Sequence, residues 1–357
     1  MSRIIVIGAG KTGRGFIARL LQEAGKEIVF VDKNEELVAN LNQNKEFEVR
    51  FFGGVRETYK VNNFMAYTWE NEELAKVFEE EAELILVSVG GQNLKEVGNA
   101  LAKVLKNDRR YYIVTAENAS KPSVTLKEAI GMENITVSES TVFCTTIEDE
   151  GIHINSENYP YLQCNAELLE GYVPDAKTIK VISNFSDFLT RKLYTYNAAS
   201  CVIAYLGWEK GYSNYADAAN DEEILELLDQ NYEVTNRVLC KEFGYDKEDQ
   251  AEFAQLSKNK FCDRTIVDTV ARNARDPQRK LAAEERIIGP IKLMYKYGED
   301  ASVLEKTAAA AICYDNDGED AWKKIKAEKT PEEILTDICG LSAGSEIYEN
   351  ILKYVKK

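Results

Sequence analysis

A glycine-rich hexapeptide near the start of the chain, Gly8-Ala9-Gly10-Lys11-Thr12-Gly13, limits the possible folds more than any other feature. A β-branched apolar run, Arg3 to Ile7, precedes it. From about Thr12 to Ala24 the apolar residues Phe16, Ile17, Leu20, Leu21 and Ala24 recur at helical spacing. The order is strand, tight turn, helix. A second apolar run, Ile28 to Val31, ends at Asp32 and leads into a helical stretch, Glu35 to Leu41, so a βαβ unit is complete within the first 32 residues. In such a unit the glycines have separate tasks: Gly8 permits the sharp turn, Gly10 lets the backbone approach a pyrophosphate, and Gly13 lets helix and strand pack closely. The helix N-terminus adds unpaired N–H groups and a favourable dipole. The pattern therefore predicts dinucleotide binding by Gly8, Ala9, Gly10, Lys11, Thr12 and Gly13. Asp32 stands at the roughly twenty-residue interval of a ribose-binding acid. A carboxylate there accepts from the ribose and repels a 2′-phosphate, favouring NAD over NADP, although Lys33 beside it works the other way. A plain strand-end turn residue is the alternative reading of Asp32.

Buried-strand patterns return at Leu84 to Val89 and Tyr111 to Thr115, separated by the helical pattern Leu94 to Leu105. Alternation of this kind predicts a parallel sheet. Val89-Gly90-Gly91 follows one of these strands at the sheet edge where ligands of doubly wound folds lie, which makes Gly90 a further cofactor candidate or a plain glycine turn. The segment from about Val137 to Ser183 has strand-like pieces in no clear order. From about Asp187 the character changes to long helical patterns: Phe188 to Trp208, Glu222 to Phe243, Lys247 to Leu256, Arg264 to Arg275, Leu281 to Tyr297, Val303 to Ala311, Pro331 to Cys339 and Ser345 to Val355. The expected architecture is α/β: a Rossmann-type NAD-binding domain over residues 1–185, then an all-helical substrate and catalytic domain over 186–357.

Charge and composition remove several classes of function. With 44 basic against 60 acidic side chains the net charge is −16, which argues against a nucleic-acid or anionic-membrane partner. An anionic substrate would need a local basic pocket. The seven cysteines are odd in number and scattered without a C-x-x-C pair, and His153 is the one histidine. Zinc sites and His-driven proteases are poor candidates on those residues, and the thiols read as reduced. The apolar run after Met1-Ser2-Arg3 is too short for a signal peptide, and no eighteen apolar residues run together. A cytoplasmic protein is expected.

Four ordered blocks then converge. Gly8 to Ile17 reads G-A-G-K-T-G-R-G-F-I, and Glu117-Asn118 follows a Rossmann strand. Arg191-Lys192-Leu193-Tyr194-Thr195-Tyr196-Asn197 is followed by Ala204-Tyr205-Leu206-Gly207, and Arg279-Lys280-Leu281 by Arg286-Ile287-Ile288-Gly289-Pro290. Together they resemble the long-chain mannitol dehydrogenases, and within them the mannitol-1-phosphate 5-dehydrogenases, over nearly the whole chain. The resemblance implies a metal-independent NAD(H) enzyme that interconverts a secondary alcohol and a ketone, with mannitol 1-phosphate and fructose 6-phosphate as the substrate pair and a monomer slightly favoured. It implies a Lys general base within K-x-x-x-x-N-x-x-H: Lys192 as base, Asn197 on the substrate oxygen, and Glu117 and Asn118 at the cofactor. On an α-helix Asn197 lies about 140° and position 200 about 80° around from Lys192, so one cleft can collect all three. A Lys near its ordinary 10.4 is a poor base at neutral pH, and burial must lower it.

The chain departs from the family pattern at two places. Ser200 stands where the motif ends in His. In Phe143 to Glu150, Asp149 matches but Glu150 replaces an Arg, reversing a charge that a phosphate would need, unless Glu150 is a solvated loop residue. The basic cluster Arg272, Arg275, Arg279 and Lys280 is a candidate phosphate clamp, with ion pairs to Asp276, Glu284 and Glu285 as the alternative. A dehydrogenase of another polyol or sugar acid, or a catalytically silent NAD-binding protein, remains open on these residues.

Overall fold

The computed structural model describes residues 3–54, 58–80 and 82–355; Met1 and Ser2, part of the N-terminal reading above, lie outside them. The chain divides into two compact units, Met1–Ser186 and Asp187–Lys357.

In the first unit, β1 (Arg3–Ile7) and β2 (Glu27–Val31) flank a helix whose opening turns, Gly13–Ala18, are π-helical before α1 (Arg19–Glu23). Then follow α2 (Glu35–Asn44), β3 (Phe47–Phe51), β4 (Tyr59–Val61), β5 (Phe64–Tyr67), α3 (Leu74–Glu80), β6 (Ala82–Val87), α4 (Leu94–Val104), β7 (Tyr111–Ala116), α5 (Pro122–Ile130) and β8 (Ile135–Thr141). The unit closes with β9 (Thr146–Glu148), β10 (Ile154–Ser156), β11 (Leu162–Asn165) and β12 (Ile179–Ile182). The main sheet runs β12-β11-β8-β7-β6-β1-β2-β5. Its six strands from β8 to β5 pair in parallel, with the strand order of a dinucleotide-binding sheet. Order reverses between β1 and β6, and the ligand crevice of such a sheet opens there.

Strand alternation explains why both faces are covered. Ile4, Val6, Ile28, Phe30, Leu84 and Leu86 point to one face and pack with Phe16, Ile17 and Leu20. Ile5, Ile7, Val29, Val31, Ile85 and Val87 point to the other, toward Phe78, Leu94, Leu101 and Leu126. Continuous apolar strands are what a two-sided parallel sheet requires. A second, four-stranded sheet, β4-β3-β10-β9, resolves part of the unordered stretch before Ser183. Its centre pairs Val49 in parallel with Ile154.

The second unit is helical. After α6 (Phe185–Lys192), a π-helical turn (Leu193–Asn197) runs directly into α7 (Ala198–Glu209). Then come α8 (Tyr215–Ala219), α9 (Glu222–Phe243), α10 (Lys247–Cys262), α11 (Val270–Ala274), α12 (Pro277–Lys280), α13 (Ile288–Lys296), α14 (Ser302–Cys313), α15 (Asp320–Glu328), α16 (Pro331–Asp337) and α17 (Glu346–Val355). Two predicted helices are shorter than their apolar patterns by more than a turn. Over Arg264 to Arg275, Asp263 Oδ1 accepts from the Thr265 N–H at 2.8 Å and from its hydroxyl at 2.6 Å, forming a turn. The helix waits for Thr269, which caps it by accepting from the Arg272 N–H. Over Leu281 to Tyr297 the helix starts only at Ile288, because Pro290 has no N–H to give and is tolerated only in a first turn.

Candidate active site

In the first unit the loops after β1, β2, β6 and β7 enclose a crevice of about 780 Å³, within the usual range for a ligand site. Gly8, Gly10, Lys11, Thr12, Asp32, Gly90, Glu117 and Asn118 all line it; Ala9 and Gly13 are buried behind it. Gly8 has φ +96°, and a Cβ there would sit 2.1 Å from the Ser88 carbonyl oxygen. At Gly13 a Cβ would sit 2.0 Å from the Gly8 carbonyl oxygen, so the helix can start against the turn only without a side chain. Gly10 differs from both: a Cβ would meet no atom within 4 Å, and its backbone faces the open crevice. The three glycines thus differ in what a side chain would meet, and the loop they shape is a cradle that could hold a pyrophosphate.

Asp32 fastens this cradle as well as facing the crevice. Its Oδ2 accepts from the Ala9 N–H at 2.7 Å and its Oδ1 from the Asn34 N–H at 2.9 Å. The remaining lone pairs can take ribose hydroxyls. Lys33 is exposed and pairs with Glu96 at 3.4 Å. Glu117 Oε1 accepts from the N–H groups of Val89 and Gly90 at 2.6 and 2.8 Å. Burial raises the Glu117 carboxyl above its usual range, and those two N–H groups oppose the shift. Asn118 hydrogen-bonds the Val142 carbonyl at 3.1 Å, tying the ends of β7 and β8 together. Arg14, which the sequence reading quoted without assigning it a task, is 2% exposed and donates to the Ala9 carbonyl, fixing the loop from within.

In the second unit Lys192 ends α6. Desolvation, then the positive fields of Lys260 and Arg286, lower its ammonium to about 7. The rest of the R-K-L-x-T-x-N block holds that lysine in place. Arg191 donates to Gln250 Oε1 at 2.7 Å, and Gln250 Nε2 donates to Thr195 Oγ1 at 3.1 Å, so both flanking motif residues grip one glutamine of α10. Tyr194 packs over Gly289, where a Cβ would meet the phenol oxygen at 2.3 Å. The third and fourth sequence blocks, both in this unit, are therefore brought together by a missing side chain.

The π-helical turn alters the angles expected from an α-helix. The Ala198 N–H bonds to the Leu193 carbonyl, five residues back, so one residue more than usual is absorbed in the turn. Asn197 and Ser200 then stand as positions four and seven would on an α-helix, about 40° and 20° from Lys192 instead of about 140° and 80°. The three candidates share one stripe. The Asn197 side chain does not cap the helix that follows. Ser200 Oγ accepts from the Tyr215 hydroxyl at 3.1 Å, a partner that no spacing or motif in the chain signals.

The candidate phosphate clamp is spread over different environments. Lys280 is 5% exposed and donates to the Asn273 carbonyl, its ammonium 5.7 Å above the Tyr205 ring. Arg279 pairs with Asp276 at 2.6 Å and Arg272 with Asp268 at 2.5 Å. Arg275 is exposed. Glu150 is exposed in the turn between β9 and β10, and Asp149 pairs with Arg50 at 2.6 Å. His153 Nδ1 accepts from the Glu48 N–H at 3.0 Å, a structural task in the small sheet. Among the described residues no group of His, Cys, Asp and Glu could hold a metal ion, and no helix is long and apolar enough to cross a membrane.

Comparison with known proteins bears on this site. Residues 2–150 match the mannitol dehydrogenase Rossmann domain and residues 184–352 the mannitol dehydrogenase C-terminal domain. A mannitol-1-phosphate 5-dehydrogenase of Podospora anserina is 30% identical over 99% of this chain and 96% of its own. The chain belongs to the mannitol dehydrogenase family. It is accordingly an NAD-dependent oxidoreductase acting on CH–OH groups. A Bacillus pumilus mannitol-1-phosphate 5-dehydrogenase is 29% identical over 97% of each chain. Among solved structures, a D-sorbitol dehydrogenase in substrate-free form shares the fold with a TM-score of 0.78 at 14% identity, over 99% of this chain and 92% of that one. The Pseudomonas fluorescens mannitol 2-dehydrogenase complex with NAD and D-mannitol does so with a TM-score of 0.66 at 12% identity, over 99% and 90%.

Proposed function

We propose that the chain interconverts D-mannitol 1-phosphate and D-fructose 6-phosphate, as a monomeric cytoplasmic enzyme with Lys192 as its general base. The observation that carries this reading is Lys192 itself: the family's lysine position holds a side chain lowered to about 7 by burial and by two neighbouring cations. A base works best when its proton affinity lies near the working pH. Bound NAD supplies the hydride acceptor in oxidation and, as NADH, the donor in reduction. The protein manages the proton. In oxidation, uncharged Lys192 Nζ takes the hydroxyl proton as the carbinol C–H pair leaves, and the C–O bond becomes the ketone. In reduction the Lys192 ammonium returns that proton to the oxygen. Asn197 donates a hydrogen bond to the same oxygen while it carries charge, an interaction strongest in the transition state.

Lys260 and Arg286, which depress Lys192, also favour an anionic substrate. Of the candidate phosphate ligands, exposed Arg275 is the most available. Arg279 would have to leave Asp276, and Lys280 is turned inward. Two departures favour a second reading, a dehydrogenase of another polyol or sugar acid or a silent NAD-binding protein: Ser200 in place of the imidazole and Glu150 in place of an arginine.

The deciding experiment is NADH oxidation against ketose phosphates, free ketoses and keto-acid sugars, with NADH binding measured by fluorescence. Turnover with fructose 6-phosphate that falls at least a thousandfold in Lys192→Met, with NADH binding retained, is the expected result. Full activity of Lys192→Met would remove the mechanism. NADH binding without turnover on any substrate would favour the silent protein.

A further inference from the structure

Where the family motif carries an imidazole, this chain carries a hydroxyl that a second hydroxyl holds in place. Tyr215 Oη donates to Ser200 Oγ at 3.1 Å, and Tyr215 is 5% exposed. Its backbone is fixed on both sides. The Tyr215 N–H donates to the Asp268 carbonyl at 3.1 Å, the Val270 N–H to the Ser213 carbonyl at 3.0 Å, and Asn214 bridges Thr269. The ring stands edge-on to Phe261 at 5.9 Å. The ionisable groups around it are Tyr232, Cys201 and Asp268. Tyr232 hydrogen-bonds Ser257 and Asp268 pairs with Arg272, so neither competes for the phenol proton. Burial holds the phenol well above its ordinary range, and it stays a donor throughout the neutral region. A serine hydroxyl has one proton and two acceptor lone pairs. With one lone pair occupied by Tyr215, Ser200 keeps its proton to give.

The stripe geometry limits where that proton can go. Seven α-equivalent positions separate Ser200 from Lys192, about 10 Å along the axis. A serine is too short to reach the oxygen at the tip of Lys192 from there. An extended polyol, however, carries hydroxyls on successive carbons.

We infer that Ser200 and Tyr215 form a hydroxyl clamp for the polyol chain: Ser200 donates a hydrogen bond to a substrate oxygen several carbons along the chain from the reacting one, and Tyr215 is the positioning residue that aims it. The inference rests on the reading of Lys192 given above. The clamp binds and orients and transfers no proton, so this chain needs no imidazole at position 200.

The test uses the full-length protein with fructose 6-phosphate and NADH, comparing Ser200→Ala, Tyr215→Phe, the double variant and Lys192→Met. Ser200→Ala should raise KM for the sugar phosphate about tenfold, as expected for one lost neutral hydrogen bond. Its kcat should stay within a few-fold and its KM for NADH should not move. Tyr215→Phe should shift the same constant in the same direction. The double variant should be no worse than Ser200→Ala, because both remove one interaction. Additive effects, an unchanged sugar-phosphate KM, or a thousandfold loss of kcat in Ser200→Ala would each overturn the clamp; the last would make Ser200 part of the proton path. Should Tyr215→Phe fail to fold, Ser200→Ala decides alone by the KM and kcat criteria. A Lys192→Met protein that still turns over, or a wild-type protein inert toward every ketose, removes the reading beneath the clamp and the clamp with it. Loss of kcat in Lys192→Met with additive Ser200 and Tyr215 effects leaves that reading standing and removes only the clamp.

Discussion

Lys192 carries a cost that can be measured apart from catalysis. Its side chain titrates near 7 in the folded protein and near 10.5 when unfolded. Between those values the unfolded chain binds more protons than the folded one, so stability rises with pH across the window. The penalty is fully present below about 7 and gone above about 10.5. By order of magnitude it is a few kcal/mol at neutral pH. Lys192→Met keeps the length of the side chain and removes the charge. Its thermal midpoint at pH 7 should exceed that of the wild type by several degrees, and the difference should shrink as the pH approaches 10. Melting curves at both pH values decide the point. A gain independent of pH would assign the effect to packing and not to the buried charge.

At the scale of elements, the stripe of candidate catalytic residues depends on one irregular turn and one missing side chain. The π-helical turn converts a spacing of five and eight residues into a single face for Lys192, Asn197 and Ser200. Gly207 then sets α8 against α7: a Cβ there would sit 2.7 Å from the Ala218 Cβ, and α8 is the helix that carries Tyr215. Gly207→Ala should destabilise the protein by about 1–3 kcal/mol through overpacking. It should also raise the sugar-phosphate KM, by pushing Tyr215 from Ser200, while NADH affinity stays unchanged. Denaturant midpoints and steady-state kinetics read the two effects, and a stability loss with unaltered KM would separate Gly207 from the site. Much of this candidate site was legible in the chain. The candidates Lys192, Asn197 and Ser200 come from one block through its resemblance to the family, and the glycine candidates come from the strand–turn–helix context. Tyr215 was not legible, because it reaches Ser200 through the packing of two helices and no spacing rule encodes that approach. Pro290 was present in the sequence as a stop signal within the Leu281 to Tyr297 pattern, yet apolar periodicity alone extended the helix through it.

Across the whole molecule, the residues proposed for cofactor binding and those proposed for acid–base chemistry fall in different halves of the sequence. Each unit has its own internal packing, and the alternation of strands and helices made the parallel sheet legible. The small sheet was hidden because its strands are three to five residues long and its central pair joins Val49 to Ile154 across about a hundred residues. The glycine cradle, Asp32, Gly90, Glu117 and Asn118 all lie in the first unit, and the hydrogen bonds of Asp32, Glu117 and Asn118 described above close within it. Asn184, in the left-handed region at φ +53°, lies two residues before the end of that unit, its N–H donating to Glu167 Oε1 at 2.7 Å. A fragment ending at Asn184 therefore keeps the whole main sheet and does not cut α6, which starts at Phe185. It should fold and bind NADH within a few-fold of the full-length affinity, and it should show no turnover with any ketose because it lacks Lys192 and Asn197. Fluorescence titration of the fragment with NADH, with circular dichroism to establish folding, measures both. A folded fragment that does not bind NADH would mean that the crevice between the β1 and β6 loops needs residues beyond Asn184 to hold the cofactor, and the assignment of cofactor binding to the first unit alone would fall.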